Sequence, residues 1–306
     1  MTYLLVGIGE LLWDIFPTGR ELGGAPANFA YHASALGGDG LIVSCVGSDS
    51  LGDEILERLG TLSLSCKYVA RDTGHPTGTV SVKVGAEGNP SFTIQENVAW
   101  DFIPKSQQLM ELGKSINAVT FGTLAQRSEV SRATIRAFIS QIPSGVLCIC
   151  DINLRQKFYS REVIEWSLEA CNVLKLSEEE LPVLARLLSM EGDELQLLCQ
   201  LATRFNLELI ALTKGARGSL LYSQEQVSAH EGYKTEVVDT VGSGDAFTAA
   251  LALGMLSGSD LGTINDYANH VASFVCSKRG ATPPLPDYLK ITRWLSRVRQ
   301  NSQGKL

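Results

Sequence analysis

Asp239-Thr240-Val241-Gly242-Ser243-Gly244-Asp245-Ala246-Phe247 joins a small-residue turn to a carboxylate at the start of a helical pattern. The lead into it, Glu236-Val237-Val238, is apolar and β-rich, and Phe247, Leu251, Gly254 and Met255 then recur at i, i+4, i+7 and i+8. The turn is therefore expected at a helix N-terminus, where free N–H groups and the positive end of the helix dipole attract phosphate. Gly242 and Gly244 let the backbone come close to a ligand. Asp245 falls in the first helical turn, and a carboxylate beside an anion hole can accept a hydroxyl proton while the hole stabilises charge on a transferring phosphoryl group. The same residues would equally make a capped helix start, with Ser243 or Asp245 as N-cap.

The stretch resembles the signature D-T-x-G-A/S-G-D-x-F of the ribokinase-like, or PfkB, carbohydrate kinases. Upstream, Gly23-Gly24-Ala25-Pro26-Ala27-Asn28 followed by Ala33-x-Ala35-Leu36-Gly37 is similar to the family's amino-terminal G-G-x-x-x-N-x-A…L-G motif. Both occur in the right order, and the similarity covers nearly all 306 residues. The resemblance implies one α/β domain spanning 1–306, a doubly wound, mostly parallel sheet with helices on both faces. A small β-sheet lid would come from approximately 11–23 and 70–102.

Composition is that of an ordinary globular chain and argues against several other classes. Hydrophobic residues make up 44% and charged residues 19%, ordinary values for a folded soluble chain. A net charge of −7 and a pI near 5.2 argue against nucleic acid or anionic membranes as partners, since both need a basic face. Met1 to Ile8 is apolar but lacks a basic leader, and Glu10 and Asp14 interrupt it early. No apolar run reaches transmembrane length, so a cytoplasmic location is expected. The seven cysteines are scattered, with Cys148 and Cys150 inside an apolar strand pattern, and read as buried free thiols. His32, His75, His230 and His270 have no metal-ligand spacing.

Apolar strand-like runs at Tyr3–Ile8, Leu41–Val46, Ala118–Phe121, Val146–Cys150, Val173–Leu176 and Leu207–Leu212 alternate with amphipathic helical stretches. That alternation marks a parallel sheet covered on both faces. Ligands in such sheets bind beyond the carboxyl ends of strands, where Asp151-Ile152-Asn153 and Thr213-Lys214-Gly215 stand. From Thr79 to Ile94 the pattern changes to period two, with Val80, Val82, Val84, Phe92 and Ile94 flanking a turn at Ala86–Pro90. This reads as a hairpin with one buried face, joined by Leu12–Ile15, and as a lid that would exclude water from phosphoryl transfer. Gly7-Ile8-Gly9 follows a strand, but no helix opens after Leu12, so a dinucleotide fingerprint is rejected. No G-x-x-x-x-G-K-S/T is present.

Further site residues follow from the chain and from the resemblance. Pro26 suits the first helical position and Gly37 the helix end, which puts Asn28 in the opening turn, either as a cap or as a contact to sugar hydroxyls. Asp14 aligns with the family's sugar-holding aspartate, beside Gly23 and Gly24. Asp151-Ile152-Asn153-Leu154-Arg155 resembles the D-x-N-x-R of fructokinases and 2-keto-3-deoxygluconate kinases, where Arg155 would pair with an oxyanion or merely pin the strand end. Asn97 resembles a lid-edge asparagine near the sugar. On the nucleotide side Lys175 through Glu180 resembles the family's N-x-x-E motif, which implies Lys175 and Ser177 as ATP contacts and Glu180 as the holder of water-bound magnesium, with Ser177 in place of asparagine. Thr213, Gly215 and Gly218 look like the T-x-G-x-x-G turn that cups ATP phosphates. Asn269 matches a position lining the adenine slot. Gly280 matches a loop that holds a monovalent cation, potassium in particular, with Asp239 and the Val241 carbonyl.

Together these imply ATP- and Mg2+-dependent phosphorylation of a sugar's primary hydroxyl, with Asp245 as base and the amides of Gly242, Ser243 and Gly244 as anion hole. Glu10, Asp14, Ala25-Pro26 and Asp151–Arg155 look most like fructokinases, which makes D-fructose the expected acceptor. 2-Keto-3-deoxygluconate and ribose are the alternatives. A non-catalytic sugar or nucleotide sensor is the rival of a different class. A lid face could also pair with a second copy of the chain as a homodimer.

Overall fold

The computed structural model describes residues 2–84, 90–223 and 226–303. Its strands are β1 (Leu4–Ile8), β2 (Leu12–Phe16), β3 (Gly19–Gly23), β4 (Asp39–Gly47), β5 (Val69–Asp72), β6 (Gly78–Val84), β7 (Pro90–Ile94), β8 (Ala118–Phe121), β9 (Leu147–Asp151), β10 (Val173–Ser177), β11 (Leu209–Thr213), β12 (Ser219–Ser223) and β13 (Gln226–His230). Its helices are α1 (Ala25–Ala35), α2 (Ser50–Thr61), α3 (Gln107–Gly113), α4 (Glu129–Ile139), α5 (Arg161–Ala170), α6 (Leu181–Leu188), α7 (Glu194–Phe205), α8 (Ser243–Leu256), α9 (Leu261–Cys276) and α10 (Ile291–Gln303). Among the described residues no helix is long and apolar enough to cross a membrane.

The large sheet has the order β13-β12-β11-β10-β9-β8-β1-β4-β5. It is parallel except where β12 and β13 close one edge antiparallel. Continuous apolar runs such as Val173-Leu174 and Leu209-Ile210-Ala211-Leu212 are buried because helices cover both faces. Phe29, Leu36, Phe247, Leu251, Tyr267 and Val271 fill one side, and Ile135, Phe138, Leu168, Leu184 and Leu201 the other. Strand order reverses between β1 and β8, which flank one another in space while β4 and β8 lead the chain in opposite directions. A cleft opens beyond the carboxyl ends of strands at such a switch point.

Helix α1 lies directly on β1 and β4. A Cβ added at Gly7 would overlap the Pro26 carbonyl, and one at Gly40 would overlap that of Ala30. The missing side chains set how deeply the amino end of α1, with Asn28, sinks toward the switch point. Helix α8 is buried from Ala246 to Gly254, not along a single stripe, because the sheet, α1 and α9 surround it.

The expected lid is a four-stranded sheet of order β3-β2-β6-β7, in which β2 pairs antiparallel with β3 and parallel with β6. Trp13 Nε1 donates to Leu51 O at 3.0 Å, fastening it to α2. At its other end Arg127 donates to both Asp101 oxygens at 2.8 Å and to Gln95 O at 2.6 Å, and its guanidinium lies 3.9 Å over the Trp100 ring. The expected turn residues Ala86 to Asn89 lie outside the described residues; Pro90 opens β7.

The β-rich lead Glu236-Val237-Val238 forms no strand: Val237 and Val238 are each 56% exposed. Among the described residues no strand pairs with it, and Val238 N instead donates to Cys276 O at 2.8 Å at the end of α9. The turn before α8 is therefore held by a helix end, not by a ladder.

Gly7→Ala should force α1 outward and lower the unfolding free energy by about 1–3 kcal/mol, the usual range for overpacking. Urea unfolding of the variant tests this, and a midpoint equal to the parent's would mean α1 is not seated as described.

Candidate active site

Helix α8 begins after Gly242, whose φ of 75° is left-handed and whose Cβ position is filled by Ala281. Only glycine meets both demands. Ser243, Gly244 and Asp245 follow as the first helical turn. Among the described residues no protein acceptor pairs with the Gly242 and Gly244 amides, whereas Ser243 N reaches Thr240 O at 3.3 Å. Ser243 Oγ also donates to that carbonyl, at 2.8 Å. Two of the three expected donors are thus open, and the third closes the turn.

Asp245 faces inward and is half-buried. Asn28 Nδ2, on α1, donates to its Oδ2 at 2.8 Å. Asn28 neither caps its helix nor lies open to solvent; it is 4% exposed and its Oδ1 has no partner. Burial first, then the neighbouring Asp151, pushes the Asp245 carboxyl up to about 7, against the pull of Asn28 and Lys175. Such a carboxyl titrates where a general base at neutral pH should.

Polar residues that end apolar strands surround it. Asp151, the last residue of β9, accepts from Lys175 Nζ of β10 at 3.0 Å. Its other oxygen accepts from Thr248 Oγ1 of α8, also at 3.0 Å. Glu10, just beyond β1, is buried, and burial raises its carboxyl above the ordinary range. Asp14, in the lid strand β2, is pushed up to about 6 by burial and by Glu21, with Arg155 opposing. Glu10, Pro26, Thr120, Asp151, Asn153 and Asp245 line one narrow recess at the switch point.

The remaining sequence candidates divide. Gly23 ends β3 and Gly24 is the N-cap of α1, beside the recess. Asn153 has a φ of 42° and accepts from exposed Arg155, whose charge reaches Glu10 and Asp14. Asn97 lies elsewhere, exposed on a wider cavity of about 380 Å³ with Arg127, Lys157 and Tyr159. We take the narrower recess as the site because the perturbed carboxylates converge there.

On the nucleotide side, Glu180 Oε1 accepts from Leu154 N at 2.8 Å and Oε2 from Ser177 N at 2.7 Å. A carboxylate so engaged suits a metal held through water rather than by direct ligation. Ser177 Oγ accepts from Glu180 N at 3.3 Å and keeps its own proton to donate. Thr213 ends β11, and Gly215 and Gly218 take φ of 57° and 80° in the turn after it. Asn269 is buried in a network with Ser219 Oγ at 2.7 Å and Asn265 Oδ1 at 2.9 Å. Asp239 accepts from Val241 N and from Gly280 N, each at 3.0 Å, drawing those two loops together. No cluster of three or more His, Cys, Asp or Glu fit to hold a metal occurs among the described residues.

Thr248 was not legible as a site residue, and neither was the Asn28–Asp245 pair. Their signals are faint: Thr248 is a lone hydroxyl in an apolar helix, one turn after Asp245.

Residues 14–288 match the pfkB family carbohydrate kinase. The chain belongs to that family. It is similar to the fructokinase of Escherichia coli, 30% identical over 298 residues that cover 91% of this chain and 95% of that protein. Among solved structures, an uncharacterized sugar kinase from Pyrococcus horikoshii in complex with ATP matches with a TM-score of 0.78 and 30% identity, over 91% of this chain and 94% of that one. Fructokinase from Vibrio cholerae O395, bound to fructose, ADP and calcium ion, matches with a TM-score of 0.77 and 26% identity, over 94% and 96%. This PfkB protein is a sugar kinase, a phosphotransferase with an alcohol group as acceptor, and its fold is the ribokinase-like one.

Because the folded Asp245 titrates near 7 and an unperturbed aspartate at 3.8, the native state holds this proton more tightly than the unfolded chain between those values. The stability drawn from it is full below about 3.8 and is lost as pH rises from there to about 7. Asp245→Asn should therefore melt higher than the parent protein at pH 8.5, with the gap narrowing markedly by pH 5. Equal melting temperatures at both pH values would contradict the buried setting of this carboxyl.

Proposed function

We propose that this kinase transfers the γ-phosphoryl group of ATP to the primary hydroxyl of D-fructose, giving fructose 6-phosphate. The reading is carried by one observation: Asp245, inward-facing and oriented by Asn28, stands in the same helical turn as the open amides of Gly242 and Gly244. The fructose assignment draws further support from the Escherichia coli fructokinase and from the fructose-bound Vibrio cholerae enzyme.

In the proposed step Asp245 takes the proton of the sugar hydroxyl. The hydroxyl oxygen forms a bond to the γ-phosphorus, the bond from that phosphorus to the β–γ bridging oxygen breaks, and ADP leaves. The Gly242 and Gly244 amides stabilise the charge that develops on the phosphoryl oxygens. Asp14 and Asn153 would accept and donate to the other sugar hydroxyls, with Gly23 and Gly24 giving the backbone access. Thr213, Gly215 and Gly218 would cup the ATP phosphates. Glu180 would hold magnesium through water, and that ion supplies charge neutralisation on the phosphates when bound. The loops joined by Asp239, with the Val241 and Gly280 backbone, would hold a monovalent cation such as potassium.

Arg155 favours a second reading. Its exposed guanidinium beside Asp14 and Glu10 could meet the carboxylate of 2-keto-3-deoxygluconate. ADP release measured with fructose, 2-keto-3-deoxygluconate and ribose separates the two, and fructose should give the highest kcat/KM. A higher value for the sugar acid would replace fructose by the second reading.

Asp245→Asn should lower kcat by about 10²–10⁴-fold, the usual worth of a general base. In the parent enzyme kcat/KM should rise through a midpoint near pH 7, since the base works only when ionised. Near-parental turnover in the variant would remove Asp245 from the role of base.

A further inference from the structure

We propose that Lys175 is a positioning residue for phosphoryl transfer: Asp151 fixes its ammonium against the backbone of Gly244, so that a positive charge stands behind the anion-binding turn. The inference rests on the reading of that turn as the phosphoryl site. The strand itself does not call for a lysine here, although the buried carboxylate of Asp151 takes it as a partner. Strand β10 reads Val173-Leu174-Lys175-Leu176, and its flanking leucines are fully buried, while Lys175 is 6% exposed. Burying an ammonium at an apolar strand position carries a desolvation penalty that a leucine would avoid, and buried ion pairs are weak evidence for stability. The charge therefore points to a task.

The geometry says what that task is. Lys175 Nζ is 3.0 Å from Asp151 Oδ1, and Asp151 Oδ2 is 3.0 Å from Thr248 Oγ1. That hydroxyl lies equally far from Gly244 O, so its single proton can serve either acceptor. A Cβ at position 244 would lie 3.1 Å from Lys175 Nζ, so the glycine leaves just enough room for the ammonium beneath the turn. One chain of contacts thus links β9, β10 and the first two turns of α8.

Charged and polar groups act on this cluster from neighbouring elements: Glu10 beyond β1, Asn28 on α1 and Glu180 at the start of α6, while Arg155 after β9 acts on Glu10 in turn. Burial pushes the ammonium down, but Asp151, Glu180 and Asp245 return it above the usual lysine range, so it stays charged. Its charge in turn favours the ionised form of Asp245.

The test compares Lys175→Met and the charge-neutral pair Asp151→Asn with Lys175→Met, each checked for folding by circular dichroism and melting. The readouts are kcat, the KM for fructose, the KM for ATP and the pH profile from 5.5 to 9. Lys175→Met should lower kcat about 10²-fold, similar to the loss of one anion-hole donor. Its fructose KM should stay within about threefold, and its acidic limb should move to higher pH. The paired variant should also be slow, and it decides the matter if the single variant does not fold. A folded variant with kcat within about threefold of the parent and an unmoved acidic limb overturns the proposal. So does a loss confined to the KM for ATP, which would make Lys175 an ordinary nucleotide contact. Asp245→Asn serves as the control: if it turns over normally the phosphoryl-site reading fails, whatever Lys175 does.

Discussion

Three carboxylates, Glu10, Asp151 and Asp245, line one recess, and the neighbouring cations Lys175 and Arg155 offset their charge only in part. That imbalance governs the chemistry of the site. Buried like charges cannot all ionise cheaply, so some of these groups must hold protons near neutral pH. At Asp151 the ion pair with Lys175 and the hydrogen bond from Thr248 oppose burial without overcoming it, so its carboxyl is still raised. Asp245 has Asn28 alone as a direct partner, and its carboxyl is left poised near neutrality. The same crowding that costs the fold stability gives Asp245 the proton affinity that the proposed role of base requires.

The fold holds this cluster together by where it places chain ends. Strands β1, β8, β9 and β10 lie side by side around the point where strand order reverses; β9 and β10 end in Asp151 and Ser177, and Glu10 and Thr123 follow β1 and β8 by two residues. Helices α1 and α8 then bring their amino ends to the same edge, α1 because Gly7 and Gly40 let it settle onto the sheet, α8 because Gly242 turns the chain over Ala281. The lid is fastened separately, at Trp13 on one side and at Arg127 on the other. Asp14 is thereby carried on an element that is anchored at both ends while the catalytic turn is rooted in the main sheet.

Much of this was legible in the sequence, for a physical reason. Parallel strands buried on both faces must be continuously apolar, and a lid with one covered face must alternate, so the period of hydrophobicity distinguished the two sheets. Polar residues at strand ends, such as Asp151 and Thr213, marked the edge where ligands bind. What stayed hidden depends on pairing across the chain. Asn28 and Asp245 are 217 positions apart, and no local pattern assigns an amide on α1 to a carboxylate on α8. Lys175 and Asp151 likewise look like isolated charges until β9 and β10 lie side by side. The valines before Asp239 misled because β propensity describes a side chain that fits a half-buried pleat, and here no neighbouring strand supplies one. Nor could the sequence foresee that both oxygens of Glu180 are engaged by backbone amides.

The most direct measurement is a crystal structure with fructose and a non-hydrolysable ATP analogue bound together. The account requires the acceptor hydroxyl within hydrogen-bonding distance of an Asp245 oxygen, and the terminal phosphate against the amides of Gly242 and Gly244. Sugar found instead in the wider cavity beside Arg127 and Lys157, or a phosphate chain that passes α8 without touching its first turn, would contradict it.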